Sequence, residues 1–371
     1  MHMWLRIRCL VIKELLAVWR DPKTRFLILG PPVIQMLIFA NAATQEVRNV
    51  AIGVLNHDMG TCARDLVARF EGSPNFREVR RLRSEAEMSS AIDSRSILLA
   101  VHIREDFSRD VAAGRPATVQ LVLDGRSSNS SQILSSYAQQ IVAGYNAELA
   151  RTHRAPPPAS EVVARVWFNP NLDPKWNTVP SLVVVLTALI GVLITGLAIA
   201  RERELGTFEQ LLVSPLSPAE IVLGKTIPTF LIGLAEGTLM LIVAVFVFAV
   251  PLNGSLVLLY SGMSAFLLSV IGVGLFVSSL AKTQQQAILG AFSCMVPMTL
   301  LSGFASPIEN MPDWLQYATY ANPYRHFITI VKGVFLKSMP LADIIDSLWP
   351  LAAIAAVTLT FSTWLFRRRV E

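Results

Sequence analysis

Long apolar runs constrain this chain more than any other feature. In the hydrocarbon core of a bilayer there is no water to satisfy the backbone, so a helix of roughly 20 mostly apolar residues is the simplest crossing element. Six runs reach or approach that length: Phe26 to Ala42, Val179 to Ala200, Ile227 to Val250, Leu256 to Leu280, Ala287 to Phe304 and Leu348 to Phe366. The first is shortish and carries Pro31 and Pro32. The pattern predicts an α-helical polytopic membrane protein with six transmembrane helices.

Charge is scarce and unevenly placed. Charged residues are 16% of the 371, against about 25% in an average soluble domain. Of the 59 Lys, Arg, Asp and Glu, 31 lie between Ala43 and Thr178, with basic and acidic groups nearly balanced. The net excess of +5 sits at the ends, in Arg6, Arg8, Lys13, Arg20, Lys23 and Arg25, and in Arg367, Arg368 and Arg369. Basic residues favour the cytoplasmic side, so both termini are expected there, in agreement with an even number of spans. Residues 201–225 and 281–286 then face the cytoplasm, and residues 251–255 and 305–347 face out. No basic patch is interleaved with aromatics, which argues against nucleic acid as a partner. Cys9, Cys62 and Cys294 fall in three compartments on this topology, and no internal disulfide is expected. Ala40-Asn41-Ala42 resembles a signal-peptidase site, but the basic region before the apolar run is too long for a signal peptide. An uncleaved anchor is expected.

The domain reading follows. Residues 1–25 form an amphipathic interfacial helix, with Trp4, Ile7, Val11, Leu15 and Val18 at helical spacing and a break at Asp21-Pro22. Residues 26–42 are the first span. Residues 43–178 are an inserted small α/β extracytoplasmic domain and its linker. Strands are expected at Val50–Leu55, Phe76–Leu82, Ile97–Ile103 and Thr118–Leu123, and helices at Thr61–Phe70, Ser84–Ile92 and Ser127–Leu149. Residues 179–371 are the transmembrane domain. In the inserted domain His57, His102 and His153 are far apart in sequence without ligand-like spacing. Asp58 reads as a helix cap rather than half of a catalytic pair. No catalytic set and no metal site is expected.

Four features could carry mechanism. Ala219 to Thr226, AEIVLGKT, nearly matches a phosphate loop, but lacks the first glycine, places bulky side chains where amides must approach phosphate, and follows no strand. It is not expected to bind nucleotide, so the chain has no engine of its own. Arg201-Glu202-Arg203-Glu204 is a dense charge cluster at the end of a span, suited either to solvation or to docking a partner. Glu236 lies about ten residues into an apolar run, where a carboxylate costs about 2.5–3.5 kcal/mol. It is a candidate pathway group, with a structural, protonated or hydrogen-bonded carboxyl as the alternative. Residues 305–347 hold Trp314, Tyr317, Tyr320 and Tyr324, an interfacial composition read as interfacial helices or a re-entrant hairpin. Gly262, Gly272 and Gly274, with Ser261, Ser264 and Ser269, give the fourth span a small face for close helix packing.

Three long segments then carry a resemblance. RERELGTFEQLLVSPLSPAEIVLGKTIP resembles the intracellular coupling segment of ABC-2-type exporter permeases. LSGFASPIENMPDWLQ (Leu301 to Gln316) and ANPYRHFITIVKGVFLK (Ala321 to Lys337) resemble that family's outer hairpin, and KELLAVWRDPKTRFLILGPPVIQMLIFA its connecting helix and first span. The large inserted domain is similar to that of a multidrug-type branch. The resemblance implies a permease subunit, not an enzyme, that works in efflux of drug-like, lipidic or other amphiphilic cargo from the cytoplasm or inner leaflet. It implies no cofactor of its own, because ATP is bound and hydrolysed by a separate ATP-binding cassette subunit. A second permease copy or paralogue and membrane lipid are implied partners, a periplasmic adaptor is left open, and the location is the bacterial inner membrane. Carried over by position, Glu202, Glu204, Gly206, Thr207, Glu209 and Gln210 belong to the coupling segment. Pro307, Glu309, Asn310, Pro312, Asn322, Pro323 and Arg325 belong to the outer hairpin. A secondary transporter or channel independent of ATP is the competing reading. It predicts inverted repeats, and none is evident.

Overall fold

The computed structural model describes residues 2–42, 50–126, 128–152, 168–169, 173–206 and 216–370. The chain forms two compact units, Gln45–Ala164, and Met1–Thr44 together with Arg165–Glu371.

In the smaller unit β1 (Val50–Asn56), β2 (Phe76–Leu82), β3 (Leu99–Ile103) and β4 (Val119–Leu123) make one mixed sheet in the order β2-β1-β3-β4. β1 is parallel to both neighbours, and β4 runs antiparallel to β3. Parallel neighbours need crossover connections, supplied by α3 (Thr61–Glu71) and α4 (Glu85–Asp93). A short α5 (Phe107–Ala112) follows β3, and α6 (Ser128–Thr152) follows β4. Sequence reading missed α5, because six residues are too few to display a helical period. Strand side chains alternate between faces. Ile52, Val54, Val101 and Ile103 pack with residues of α3, α5 and α6, whereas Leu55 and Ala100 face Leu82, Ala91 and Ile97. At Gly53 a methyl group would sit 2.6 Å from Leu82 Cδ1 and 2.7 Å from Ile97 Cδ1, so a side chain at that central strand position would have to displace the ends of both.

Asp58 does not cap a helix in the expected way. The N-cap of α3 is Gly60. The Asp58 carboxylate instead accepts from the Gly60 N–H at 2.6 Å and from the Ser108 N–H, in the first turn of α5, at 2.5 Å. Ser108 Oγ in turn accepts from the Ala63 N–H at 3.1 Å. The N-termini of α3 and α5 are thus stitched to each other, which satisfies amides that neither helix can satisfy internally. His57 and His102, far apart in sequence, meet edge to face with ring centroids 5.2 Å apart. The parallel register places Leu55 opposite His102, and His57 follows two residues later. Among the described residues no third ligating group joins them to make a metal site.

The larger unit is helical. Among the described residues four helices are long and apolar enough to cross a membrane: Lys175–Glu204, Ala219–Phe246, Leu256–Leu280 and Leu341–Arg368. They lie in α7 (Lys175–Glu204), α8 (Pro218–Phe246), α9 (Leu256–Leu280) and α13 (Leu341–Val370). The other two expected spans correspond to α2 (Pro22–Ala42), whose apolar part Ile28–Asn41 is shorter, and to the 17-residue α10 (Gln284–Leu300). α1 (His2–Arg20) is separated from α2 at Asp21. The helices differ from the expected spans by three or four residues at most ends and by more at two. α8 begins at Pro218 rather than Ile227, because Ser217 and Glu220 form a reciprocal capping box with proline at the first helical position. α13 begins at Leu341 rather than Leu348.

α7 is the most enclosed of the four, and α9 lies along α13 with small residues between them. A methyl at Gly272 would collide with Thr358, and one at Gly274 with Thr195. Ser269 Oγ donates to the Leu351 carbonyl at 2.9 Å, and Ser362 Oγ to the Gly272 carbonyl at 2.8 Å. Small residues and interhelical hydroxyl bonds are what hold helices together where lipid removes the hydrophobic drive.

Asp58 gives the first prediction. Burial opposes its charge, but the backbone bonds from Ser108 and Gly60, with the Ser108 hydroxyl, outweigh it and hold its carboxyl below the ordinary aspartate value. Its stabilisation is therefore present above the unfolded pKa of about 3.9 and lost as pH falls through the depressed folded value. Asp58→Asn is expected to cost about 2 kcal/mol at pH 7, read as lost hydrogen-exchange protection in α3 and α5, with the gap to wild type closing below about pH 4.

Candidate coupling site and buried carboxylate

α7 ends on Arg201-Glu202-Arg203-Glu204, and three of these four residues are spent on neighbouring helices. Lys225, two turns into α8, is buried with 6% of its side chain exposed. A buried ammonium must be paired and hydrogen-bonded to be tolerated. Its Nζ lies 2.9 Å from Glu202 Oε1 and 3.5 Å from Glu14 Oε1, and donates to the Ala198 carbonyl at 3.0 Å. Lys13 extends the cluster, 3.7 Å from Glu202. One cation thereby ties α1, α7 and α8 together. Lys225 is the residue that made the near-match to a phosphate loop; here it lies inside a continuous helix and points to carboxylates.

The next two residues serve helix ends. Arg203 Nη1 donates to the Ser279 and Ala281 carbonyls, both at 3.0 Å, at the C-terminus of α9. Glu204 Oε2 accepts from the Gln284 N–H at 2.8 Å, at the N-terminus of α10. A cation on orphan carbonyls and an anion on orphan amides match the partial charges of helix ends. Gly206 follows with φ +70°, a left-handed conformation in which glycine is least strained. Thr207, Glu209 and Gln210 lie outside the described residues.

α1 packs on α8 through the stripe begun by Ile7, with Leu10 against Gly224, where a methyl would lie 2.8 Å from Leu10 Cδ1. Trp4, expected on that apolar face, is 71% exposed, as is Trp19 at 72%. The other four expected positions, Ile7, Val11, Leu15 and Val18, do face inward, with Ile7 buried and the rest, like Leu10 and Glu14, half-buried.

Glu236 shares a face of α8 with Gly233 and Gly237, which approach Leu267 and Met263 of α9; Gly237 also meets Thr187 of α7. The Glu236 side chain is 1% exposed, and among the described residues neither carboxylate oxygen has a hydrogen-bond partner.

The outer-hairpin residues fall into two groups. Pro307, Glu309, Asn310 and Pro312 are exposed around a 3-10 turn at Ile308–Asn310, before α11 (Asp313–Ala318). Asn322, Pro323 and Arg325 belong to the start of α12 (Pro323–Lys337). Asn322 caps α12 by accepting from the Tyr324 N–H, and its Nδ2 donates to the Met298 carbonyl at 2.6 Å, near the C-terminus of α10. Arg325 donates to the Gln316 carbonyl and the Thr319 hydroxyl, and its guanidinium lies 3.8 Å from the Tyr320 ring centroid. Trp314, Tyr317 and Tyr320 are exposed, but Tyr324 is fully buried and packs edge to face on Phe266, which in turn stacks on Phe327. The aromatic cluster read as one interfacial feature is therefore split between a surface and a core.

The Lys225 cluster yields a second prediction. Lys225→Ala leaves Glu202 partly buried without that cation and is expected to cost about 3 kcal/mol. Adding Glu202→Gln recovers part of the loss; thermal melting followed by size-exclusion chromatography measures both.

A family model described as ABC-2 family transporter protein matches residues 23–364. The chain is 44% identical over 368 residues to the probable multidrug ABC transporter permease YbhR of Escherichia coli strain K12, covering 99% of this chain and 100% of that one. It is 29% identical over 370 residues to the probable multidrug ABC transporter permease YbhS of the same strain, covering 99% and 97%. It is 28% identical over 361 residues to the inner membrane transport permease YhhJ, also of that strain, covering 97% and 96%. With helices long enough to span a membrane and a family match over nearly its whole length, the chain belongs to the ABC-2 family of transporter permeases.

Proposed function

We propose that this chain is the membrane-spanning subunit of an ATP-binding-cassette exporter of a bacterial inner membrane. It moves drug-like, lipidic or other amphiphilic cargo out of the cytoplasm or the inner leaflet, and a separate subunit hydrolyses ATP. The observation that carries the mechanistic part is the charged junction after α7. Glu202, Arg203 and Glu204 connect that helix end to α8, α9 and α10. A push on the segment that begins at Gly206 is therefore passed to three neighbouring helices through short polar contacts. The names of the relatives, two multidrug permeases and an inner membrane permease, support the class of cargo and the location.

On this reading the chain crosses six times, with α2 and α10 as the two short spans, and both termini are cytoplasmic. At 1.5 Å per residue the 17 residues of α10 give about 26 Å, near the lower limit for a crossing. Residues 43–178 then lie outside the cytoplasm, and the permease pairs with a second copy or a paralogue. Glu236 is a group on the cargo or proton pathway. Its support is its burial without a hydrogen-bond partner on the glycine-lined face of α8.

Two measurements test the proposal. Gentle purification of the chain expressed with its neighbouring genes is expected to bring down an ATP-hydrolysing subunit. Scrambling residues 202–210 is expected to abolish that capture. A partnerless chain that moves solute in vesicles without ATP overturns the reading in favour of a secondary transporter. Glu236→Gln is expected to lower export about tenfold or more, in keeping with the functional cost of intramembrane acids, with ATPase capture intact. Unchanged export removes Glu236 from the pathway.

A further inference from the structure

The sheet of the smaller unit reverses its winding once. The chain passes from β1 to β2 through α3, then from β2 to β3, on the other side of β1, through α4. The two crossover helices lie on opposite faces. α3 packs on the side of Ile52 and Val101, and α4 on the side of Leu55 and Ala100. The connections therefore diverge between β1 and β3, and the carboxyl ends of those two strands border a crevice. In open α/β sheets ligands bind at that point.

Two histidines stand there. His57 directly follows β1, and His102 is the last residue but one of β3. The parallel register brings their rings to a centroid separation of 5.2 Å. Two imidazoles bound to one tetrahedral ion, with metal–nitrogen distances of about 2.0–2.1 Å, have centroids about 5 Å apart. An ion can join them without moving the strands. His57 is exposed, so the pair is reached from solvent through one surface side chain. Arg104, two residues beyond His102, is paired with Asp106 at 3.5 Å, which offsets its repulsion of a cation.

His102 supplies an independent observation. β4 places Gln120 opposite it, and His102 Nδ1 lies 3.2 Å from Gln120 Oε1. An amide oxygen accepts, so Nδ1 carries the donated proton and Nε2 keeps its lone pair. That Nε2 has no hydrogen-bond partner among the described residues. Metal-bound histidines are oriented in this way, one nitrogen donating to an oxygen and the other turned to the ion.

We propose that His57 and His102 bind one late first-row divalent metal ion, with zinc as the reference case and Gln120 as the positioning residue for His102. Imidazole nitrogen without a carboxylate suits zinc, copper or nickel rather than magnesium or calcium. No third protein ligand joins the pair among the described residues. Two are fewer than the four of a closed structural site, and the remaining positions go to water or to donor atoms of a solute. The site lies wholly within the smaller unit and does not rest on the exporter reading.

Zinc titration of the full chain by isothermal calorimetry, after purification on a histidine-free tag and stripping with chelator, tests this. Wild type is expected to bind one zinc ion and to ignore magnesium. Outer-shell partners of metal-bound histidines are worth about 10–100-fold in affinity. Gln120→Leu is therefore expected to weaken binding about tenfold, and Gln120→Glu, which still accepts from Nδ1, to restore it. His57→Ala and His102→Ala each weaken binding by more. His57→Ala alters an exposed side chain and is expected to melt like wild type, so its loss of zinc does not come from unfolding. No zinc bound by wild type, or binding unchanged in both alanine variants, overturns the proposal. Magnesium displacing the zinc also overturns it, since two imidazoles do not hold a hard cation. Equal loss in Gln120→Leu and Gln120→Glu removes Gln120 as the positioning residue.

Discussion

The ammonium of Lys225 sets the arrangement of the charged helix ends. It is buried, and a buried charge survives only with partners close by. Glu202, Glu14 and the Ala198 carbonyl supply them, which forces α1, α7 and α8 to converge at one place. Once α7 is held there, Arg203 and Glu204 fall within reach of the ends of α9 and α10. Pairs of this kind give modest net stability, because desolvation offsets much of the attraction. Their stronger effect is on geometry, since each partner must arrive in register or leave a charge stranded.

Elsewhere the bundle depends on small residues. Gly272 and Gly274 allow α9 to approach α13 and α7 closely, and serine hydroxyls bridge to carbonyls across the α9–α13 contact. A bundle built on close backbone approach tolerates little sliding perpendicular to the helices. By contrast Glu236 sits on the glycine-lined face of α8 with its carboxylate oxygens unpartnered among the described residues.

Much was legible in one dimension. The strand at Phe76–Leu82 was read to the residue and the long helix after Ser127 to within a few positions, since alternation and helical periodicity are properties of contiguous residues. The start of α8 was misplaced because apolarity marks the membrane-embedded part of a helix, not its cap. Ser217 with Glu220 was the available signal for the true start. Helix α5 was too short to show a period. The functional reading of Glu202 and Glu204 came from motif resemblance, while their partners Lys225 and Gln284 went unnoticed. Lys225 was weighed only as part of a failed nucleotide motif, although a lone lysine among apolar residues was itself a sign that an acid had to be near.

The sequence by itself determined that this is a membrane protein of helices with a small α/β insertion, because span length, charge depletion and residue alternation are each local quantities fixed by the solvent a segment must meet. Only the tertiary structure decided which charges pair, that His57 meets His102, and that Tyr324 is buried while Tyr320 is not. Those outcomes depend on how helices cross and how strands register, and crossing geometry is set by the summed packing of residues tens to hundreds of positions apart, not by any neighbour in the chain.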